Sequence, residues 1–593
     1  MGRPGRFPSP GPHAKNPTHP LPVPLRTPDV TRRSVRDRTG RLAAAVAGVL
    51  AAAAAMGVAE LAAGALGRPA ASPVIAVGSG FVDLTPVWLK DWAIRAFGTN
   101  DKLVLLLGVG LGVVLAAVAA GLLAGRRLRR GLAGLAAVGA VGALAALTRP
   151  SGGAADALPT LVGVAAGMAV LTVLVHRLPV PSTRKMTGSG QGGAARETDG
   201  PEGDGPGTGT SSAPEAPEGG DGAPVAAVAA VSASAAGRGT GRRRFLLAGA
   251  GAVAVAGAGA AGGRFLLGRR EVAKLRGSID LPGPASPAPP VPRGAQVRVP
   301  GMTPFVTPNR DFYRVDTALT LPQVDPRDWT LRIHGMVDRP LEITFGELLD
   351  RELIERDITL SCVSNQVGGD LAGNARWLGA PLAPLLREAG VRRGTDQVLS
   401  SAADGMTIGT ALDPVLDGRD AMLAVAMNGE PLPVKHGFPV RMVVPGLFGY
   451  VSATKWVVDL EITRFAADRA YWTERGYAER APVKTFSRID LPRPLARVRA
   501  GRVAVAGTAW AQHRGVRAVE WQVDDGPWRE ARLAPVPSTD TWRQWVAEWD
   551  AAPGGHTLRV RATDGTGATQ PPERTPPFPD GATGWHSVVV TVT

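Results

Sequence analysis

A single cysteine, Cys362, occurs among 593 residues. That excludes intrachain disulfides, zinc sites built on several cysteines, and CxxCH haem attachment. Histidine is scarce too, with eight residues at 13, 19, 176, 334, 436, 513, 556 and 586. None lies well inside an apolar run, which argues against a bis-histidine haem between membrane helices, so no haem is expected. Aromatics make up 5% of the chain, yet eleven of the 13 tryptophans follow residue 300, so the large folded core is expected there. No phosphate loop, GxGxxG after a strand, HExxH or GxSxG stands out. Cys362 itself is either a buried packing residue or a reagent.

Basic charge is plentiful, but unevenly placed. A net +15 spread over the chain would suggest nucleic acid. Residues 1–300 hold 33 basic and 16 acidic side chains, whereas residues 301–593 hold 33 and 35. The excess sits in the first half, where arginines flank apolar runs, so a membrane is expected and no nucleic-acid partner.

Apolar runs lie at about Leu42–Leu66, Leu103–Gly125, Gly131–Leu147, Leu158–Val175 and Phe245–Leu267. Each approaches the roughly 20 residues that cross a bilayer. Nine basic residues precede the first run, four occupy Arg126–Arg130, and eight lie from Arg177 to Arg244. These segments are expected on the cytoplasmic side, which leaves residues after 268 outside. Trp88 and Trp92 then suit an interfacial belt; a short third hairpin, or peripheral helices only, is the alternative. The expected organisation is a basic disordered tail (1–41), four spans (42–178), a Gly/Pro/Ser-rich disordered linker (179–244), a fifth span (245–267) and a Pro-rich extended spacer (268–300). Arg242-Arg243-Arg244-Phe245-Leu246-Leu247 resembles a twin-arginine export signal, and also fits ordinary positive flanking.

The second half mixes elements without a βαβ rhythm, which makes residues 301–466 an α+β domain. Trp329–Gly335 alternates as a half-buried strand. Thr344-Phe345-Gly346-Glu347 is a capping-box helix start. Ile358, Leu360 and Cys362 share one face of a strand that ends near Cys362. Pro381–Ala389 reads as a helix stopped by Gly390, Asn428-Gly429 as a turn and Phe438–Val444 as a strand. From 483 to 593 the pattern is all-β: Val503/Val505, Val519/Trp521/Val523 and Leu558/Val560 alternate between turns, as in an immunoglobulin-like sandwich or another β-sandwich.

Three ordered blocks then carry a resemblance. His436-Gly437-Phe438-Pro439-Val440-Arg441 continues through Pro445-Gly446 and Gly449 to Ser452-Ala453-Thr454-Lys455-Trp456. The other two are Leu360-Ser361-Cys362-Val363-Ser364-Asn365 and Asn309-Arg310-Asp311-Phe312-Tyr313-Arg314-Val315-Asp316-Thr317. Together with Gly379–Leu386 after Ala375-Arg376-Trp377, they resemble the sulfite oxidase family of molybdopterin enzymes, and the β region resembles that family's dimerisation domain. The resemblance implies a sulfite oxidase-like molybdopterin-binding domain holding molybdenum-molybdopterin. Cys362 would be its catalytic thiolate and metal ligand. Tyr313, Arg314, Asp316, Thr317, Asp404, His436, Arg441, Ala453, Thr454 and Lys455 would be its cofactor contacts. For Arg441 and Lys455 surface ion pairing is the plain alternative, and for Asp404 a turn role.

The residue types suit that cofactor. Arg441 offers a planar fork to phosphate, Lys455 a point charge, and a cysteine thiolate suits a soft-ligand metal site. The pattern departs where sulfite-oxidising members carry an arginine and a tyrosine: here Gln366-Val367 and Ile408 stand instead. Arg314 and Arg376 are candidate replacements. The implied reaction is two-electron oxygen-atom transfer on a small-molecule oxyanion or sulfoxide, alternating Mo(VI) and Mo(IV). A separate cytochrome or quinone-linked carrier would take electrons singly, and a homodimer could form through the C-terminal domain. A catalytically inactive binding or assembly protein is the competing class.

Overall fold

The computed structural model describes residues 30–86, 89, 101–149, 152–178, 240–269 and 272–593. The tail before Val30, Trp88, Trp92 and most of the linker (179–239) lie outside the described residues. Among the described residues, five helices are long and apolar enough to cross a membrane: Thr39–Ala65, Val104–Arg126, Leu128–Leu147, Ala154–His176 and Arg243–Gly263. The first helix begins at Val30, inside the stretch expected to be an unstructured tail, and the last begins at Thr240. A shorter apolar helix, Pro73–Leu84, starts with proline in its first turn, where the missing N–H costs nothing.

Ten strands build the domain that follows. One mixed sheet has the order β2-β1-β10-β5-β6, from β1 (Thr330–Gly335), β2 (Leu341–Thr344), β5 (Gln397–Ala402), β6 (Thr407–Ala411) and β10 (Val457–Thr463). The second runs β3-β4-β7-β8, with β9 on β7, from β3 (Ile354–Ser361), β4 (Ala372–Pro381), β7 (Met422–Met427), β8 (Glu430–Pro431) and β9 (Arg441–Val443). β7 is buried along its whole length and anchors this sheet. Both sheets and the helix Leu382–Ala389 share one apolar core, including Leu331, Ile333, Leu385, Leu423 and Leu460.

Local chemistry sets the element ends. Thr344 Oγ1 accepts from the Glu347 N–H while Glu347 returns a carboxylate oxygen to Thr344 N–H, closing the capping box. Gly390 ends its helix in the left-handed region at φ 73°. The strand expected over Phe438–Val444 is only Arg441–Val443, because Pro439 cannot donate to a ladder.

The Pro-rich segment does not stand off as a spacer. Ser286 O accepts from Glu355 N–H at 2.9 Å and Arg356 donates to the same carbonyl at 3.0 Å, so the segment lies along the edge of β3. Arginine and backbone donors there satisfy carbonyls that proline leaves free.

The C-terminal strands form two sheets. One has the order β11-β13-β17-β16, the other β12-β19-β18-β14-β15. They comprise β11 (Phe486–Leu491), β12 (Arg497–Val498), β13 (Gly501–Trp510), β14 (Val516–Val523), β15 (Arg529–Glu530), β16 (Arg532–Leu533), β17 (Arg543–Ala551), β18 (Gly554–Asp564) and β19 (His586–Val592). Val505 and Trp545 from one sheet pack with Val519, Leu558 and Val590 from the other in a common core.

Candidate functional site

β3 delivers Cys362. Alternation along the strand buries Ile358 and Leu360 on the same face, and the chain turns at once after the thiol. Cys362 N–H donates to Leu371 O at 2.9 Å, and Asn365 N–H donates to Cys362 O at 3.1 Å. Asn365 Oδ1 accepts from Leu371 N–H at 2.9 Å, so the loop closes on itself. Burial raises the Cys362 thiol above its usual range; hydrogen bonds from Ser364 and the charge of Lys455 oppose this.

Arg441 starts β9 and is 5% exposed. Its two terminal nitrogens donate to His436 O at 3.2 Å and Ala453 O at 3.3 Å, and its Nε has no partner. The guanidinium lies 5.0 Å from the Trp377 ring centroid. Burial pulls it down to about 10, and Tyr313 opposes the shift. Tyr313 is raised by burial and by Cys362, with Arg441 acting the other way, so these three groups share one electrostatic neighbourhood.

Phe312 packs the site's aromatic floor. It stacks on Tyr313 at 5.2 Å and meets His436 and Trp377 edge-on at 5.5 and 5.8 Å. His436 Nε2 lies 3.1 Å from Asn309 O, and burial pushes the ring down to about 3, so it is neutral near pH 7. Lys455 Nζ donates to Asp316 Oδ2 at 2.8 Å and Val315 O at 3.0 Å. Arg314 grips the same carboxylate at 2.7 Å. Burial raises Asp404, Asp316 adds to the rise, and Lys455 opposes it. Asp404 Oδ1 also accepts Met406 N–H at 3.1 Å, so it closes a turn beside the cluster.

The structure thus gathers Cys362, Tyr313, Arg314, Asp316, Asp404, His436, Arg441, Ala453 and Lys455. Two expected contacts point their side chains elsewhere. Thr454 Oγ1 lies 2.6 Å from Ser400 Oγ, and Thr317 Oγ1 donates to Met406 Sδ at 3.7 Å. Of the two candidate replacement arginines, Arg314 is in the cluster. Arg376 lies one position out of phase with Trp377 on β4 and pairs with Asp357 at 2.8 Å. Ile408 is buried on β6, and its own carbonyl accepts from Ser400 Oγ at 3.0 Å.

Sequence reading quoted Phe312, Ser361, Asn365 and Trp377 only as parts of blocks and did not single them out as site residues. Ser361 Oγ and Asn365 Nδ2, either side of Cys362, are buried without partners, like Arg441 Nε. Strand alternation from Ala375 to Trp377 was the available signal for the tryptophan. The buried Arg441 with a free guanidinium N–H, the partly buried Lys455 and a thiol form a donor set for an anion carrying a soft-metal centre.

Residues 318–472 match the family described as oxidoreductase molybdopterin binding domain. The chain is 31% identical over 292 residues to the sulfite oxidase of Gallus gallus, covering 41% of this chain and 62% of that one. It is 32% identical over 153 residues to the uncharacterized oxidoreductase YuiH of Bacillus subtilis, covering 26% of this chain and 74% of that one. Among solved structures it is similar to the sulfane dehydrogenase SoxCD from Paracoccus pantotrophus, at 26% identity and a TM-score of 0.41, covering 45% and 74% of the two chains. The chain spans 50 to 62% of the length of the animal sulfite oxidases it matches first. The family match spans Cys362, Arg441 and Lys455, and together with these relatives it shows that the chain belongs to the sulfite oxidase family of molybdopterin-dependent oxidoreductases.

Proposed function

We propose that this chain is a membrane-anchored molybdenum-cofactor oxidoreductase that transfers an oxygen atom to or from a small oxyanion or sulfoxide outside the cytoplasmic membrane. The observation that carries the reading is the convergence of the Cys362 thiol with a second segment that supplies the buried Arg441, with its unpartnered Nε, and Lys455, whose side chain is 12% exposed. A thiol penalised by burial becomes a stable thiolate only beside positive charge, which a metal supplies. When bound, the molybdenum cofactor supplies two-electron oxygen-atom transfer.

The chain's own residues bind and orient. Arg441 and Lys455 would hold the anionic phosphate, with backbone N–H groups around Ser452–Lys455 completing the cradle. Neutral His436 would offer one ring nitrogen, while the Phe312, Tyr313 and Trp377 rings exclude water from the thiol's surroundings. Gln366, Val367 and Ile408 replace the cationic and phenolic donors that an anion such as sulfite calls for. Arg314 also lies at the cluster, paired with Asp316. Five spans with cytoplasmic arginine-rich connections would hold the domain outside, as an internal twin-arginine signal would also require. Electrons would leave singly to a cytochrome or quinone-linked carrier. The C-terminal sheets would serve as an immunoglobulin-like dimerisation unit.

The test is metal and pterin analysis of the full chain made in a cofactor-competent host, wild type against Cys362→Ser, with assays on sulfite, nitrate and sulfoxides. Molybdenum in the wild type, with turnover lost in the variant, is expected. Wild type without molybdenum would overturn the reading.

A further inference from the structure

The loop from Val363 to Asp370, which follows Cys362, is gripped from outside by the C-terminal sheets. Arg488 Nη1 donates to Gly369 O at 2.7 Å. The same guanidinium donates through Nε to Asp490 Oδ1 at 2.6 Å, and both side chains are at most 10% exposed. Thr508 Oγ1 donates to the other Asp490 oxygen at 3.2 Å, and the Arg488 guanidinium lies 5.8 Å from the Trp510 ring centroid. Gly368, at φ 81°, lies so close to His586 that an added Cβ would overlap the ring. His586 is itself fixed, its Nδ1 accepting Ile489 N–H at 3.0 Å.

Connections between strands of the same C-terminal sheets also hold β3 just before the thiol. Thr359 N–H donates to Asp540 O at 2.9 Å, Thr359 Oγ1 accepts Trp542 N–H at 2.7 Å, and Gln512 Nε2 donates to Thr359 O at 2.9 Å. Cys362 therefore sits between two grips, one on the strand and one on the loop.

We infer that Arg488, braced by Asp490 and seconded by His586, is a positioning residue that fixes the loop after Cys362 and so sets where the thiol lies. An arginine is required because one planar group must serve a carboxylate and a peptide carbonyl together. The inference rests on Cys362 being the working thiol, but its geometry is testable without the cofactor.

Cys362 is the sole cysteine, so the rate at which the full chain in detergent reacts with an aromatic disulfide reports this thiol alone. The protein is made in a host lacking molybdopterin. Arg488→Gln is expected to raise that rate about tenfold, as when one charge-assisted hydrogen bond no longer keeps a loop closed. Arg488→Lys, whose single ammonium cannot span Asp490 and Gly369 O as the planar fork does, should restore only part of the slow reaction. Arg514→Gln is the control: Arg514 binds Asp564 and Val483 O at 2.9 Å, away from the loop. It should lower the Tm and leave the thiol rate within about twofold, since local opening is distinct from global stability. Gly368→Ala, which pushes the loop off His586, should raise the rate by itself and stands in if Arg488→Gln does not fold. A wild-type rate in the Arg488 and Gly368 variants, or an equal rise in Arg514→Gln, would overturn the inference. Molybdenum content in a competent host reads the proposed function separately.

Discussion

Lys455 Nζ and Asp316 Oδ2 lie 2.8 Å apart although 139 residues separate them in the chain. The pair ties the segment carrying Tyr313 to the one carrying Arg441, and Arg314 completes a three-member network. Burial pulls Lys455 down to about 8 against the attraction of Asp316. Its folded pKa is below the ordinary 10.5, so the unfolded chain binds the extra proton between about 8 and 10.5. The cofactor-free fold therefore gains stability from this group as pH rises through that window. Anion binding has the opposite sign, because it needs the ammonium. Molybdenum retained on dialysis should fall with pH, with affinity dropping roughly tenfold per unit just above 8. Lys455→Arg should flatten the dependence; a pH-independent wild type would show that Lys455 does not meet the anion.

Arg441 makes a second case. Its hydrogen bonds to His436 O and Ala453 O, at 3.2 and 3.3 Å, are long, and its Nε is unpartnered. A buried cation so poorly satisfied costs stability until an anion arrives. Arg441→Met should leave the cofactor-free Tm unchanged or higher. It should cut cofactor retention about 10- to 100-fold, the value of one hydrogen bond to a charged group. Thermal unfolding and metal analysis on the same preparation separate the two effects.

The parts of the site legible in the sequence are those written in short contiguous blocks. Alternation along Ile358, Leu360 and Cys362 marked a strand end, and the His436–Lys455 block held its charges at local spacing. Arg376 was not legible in the same way. Only the pairing of β3 with β4 shows that it faces Asp357 while Trp377 faces Arg441. A one-residue step on a strand reverses the face. Nor was the parallel pairing of β1 with β10, which sets Arg332 beside Asp459 across most of the domain. Composition marked the Pro-rich segment as extended, yet its docking on β3 depends on carbonyls that only the folded sheet edge brings within reach.

Acid should destabilise the domain before carboxylates titrate. Burial pushes His436 to about 3 and His586 to about 4, below their ordinary 6.5. Both stay neutral in the fold while the unfolded chain takes up protons below 6.5. Their contribution is thus present above that pH and lost as pH falls toward 4. A Tm series from pH 7 to 4 should decline, and His586→Gln should reduce the slope by up to about 1.4 kcal/mol per pH unit. An unchanged slope would mean that the imidazole is solvated.

Gly373 on β4 makes room for the aromatic floor. A Cβ there would lie 2.7 Å from the Phe312 ring edge, and Phe312 supports Tyr313, His436 and Trp377. Gly373→Ala should cost about 1–3 kcal/mol, as overpacking of a core does. Adding Phe312→Leu should return part of it, because the two changes act on one contact. Denaturant titration of the four variants gives the coupling, and simple additivity would refute the contact.

The helices Val30–Ala65 and Thr240–Arg269 cross closely because glycines meet backbone. A Cβ at Gly57 would lie 2.5 Å from Ala256 O, and one at Gly263 2.5 Å from Glu60 O. In a bilayer, such small-residue contact between helices would replace the hydrophobic drive available in water. Gly57→Leu should therefore separate the helix Thr240–Arg269 from the helix Val30–Ala65 without altering either. With a protease site engineered into the 179–239 segment, cleaved wild type should stay associated in mild detergent through purification. The Gly57→Leu protein should release the fragment bearing Cys362, and Gly251→Leu should not, since a Cβ at Gly251 meets nothing within 4 Å. Equal release from both variants would show that the crossing is not held at Gly57.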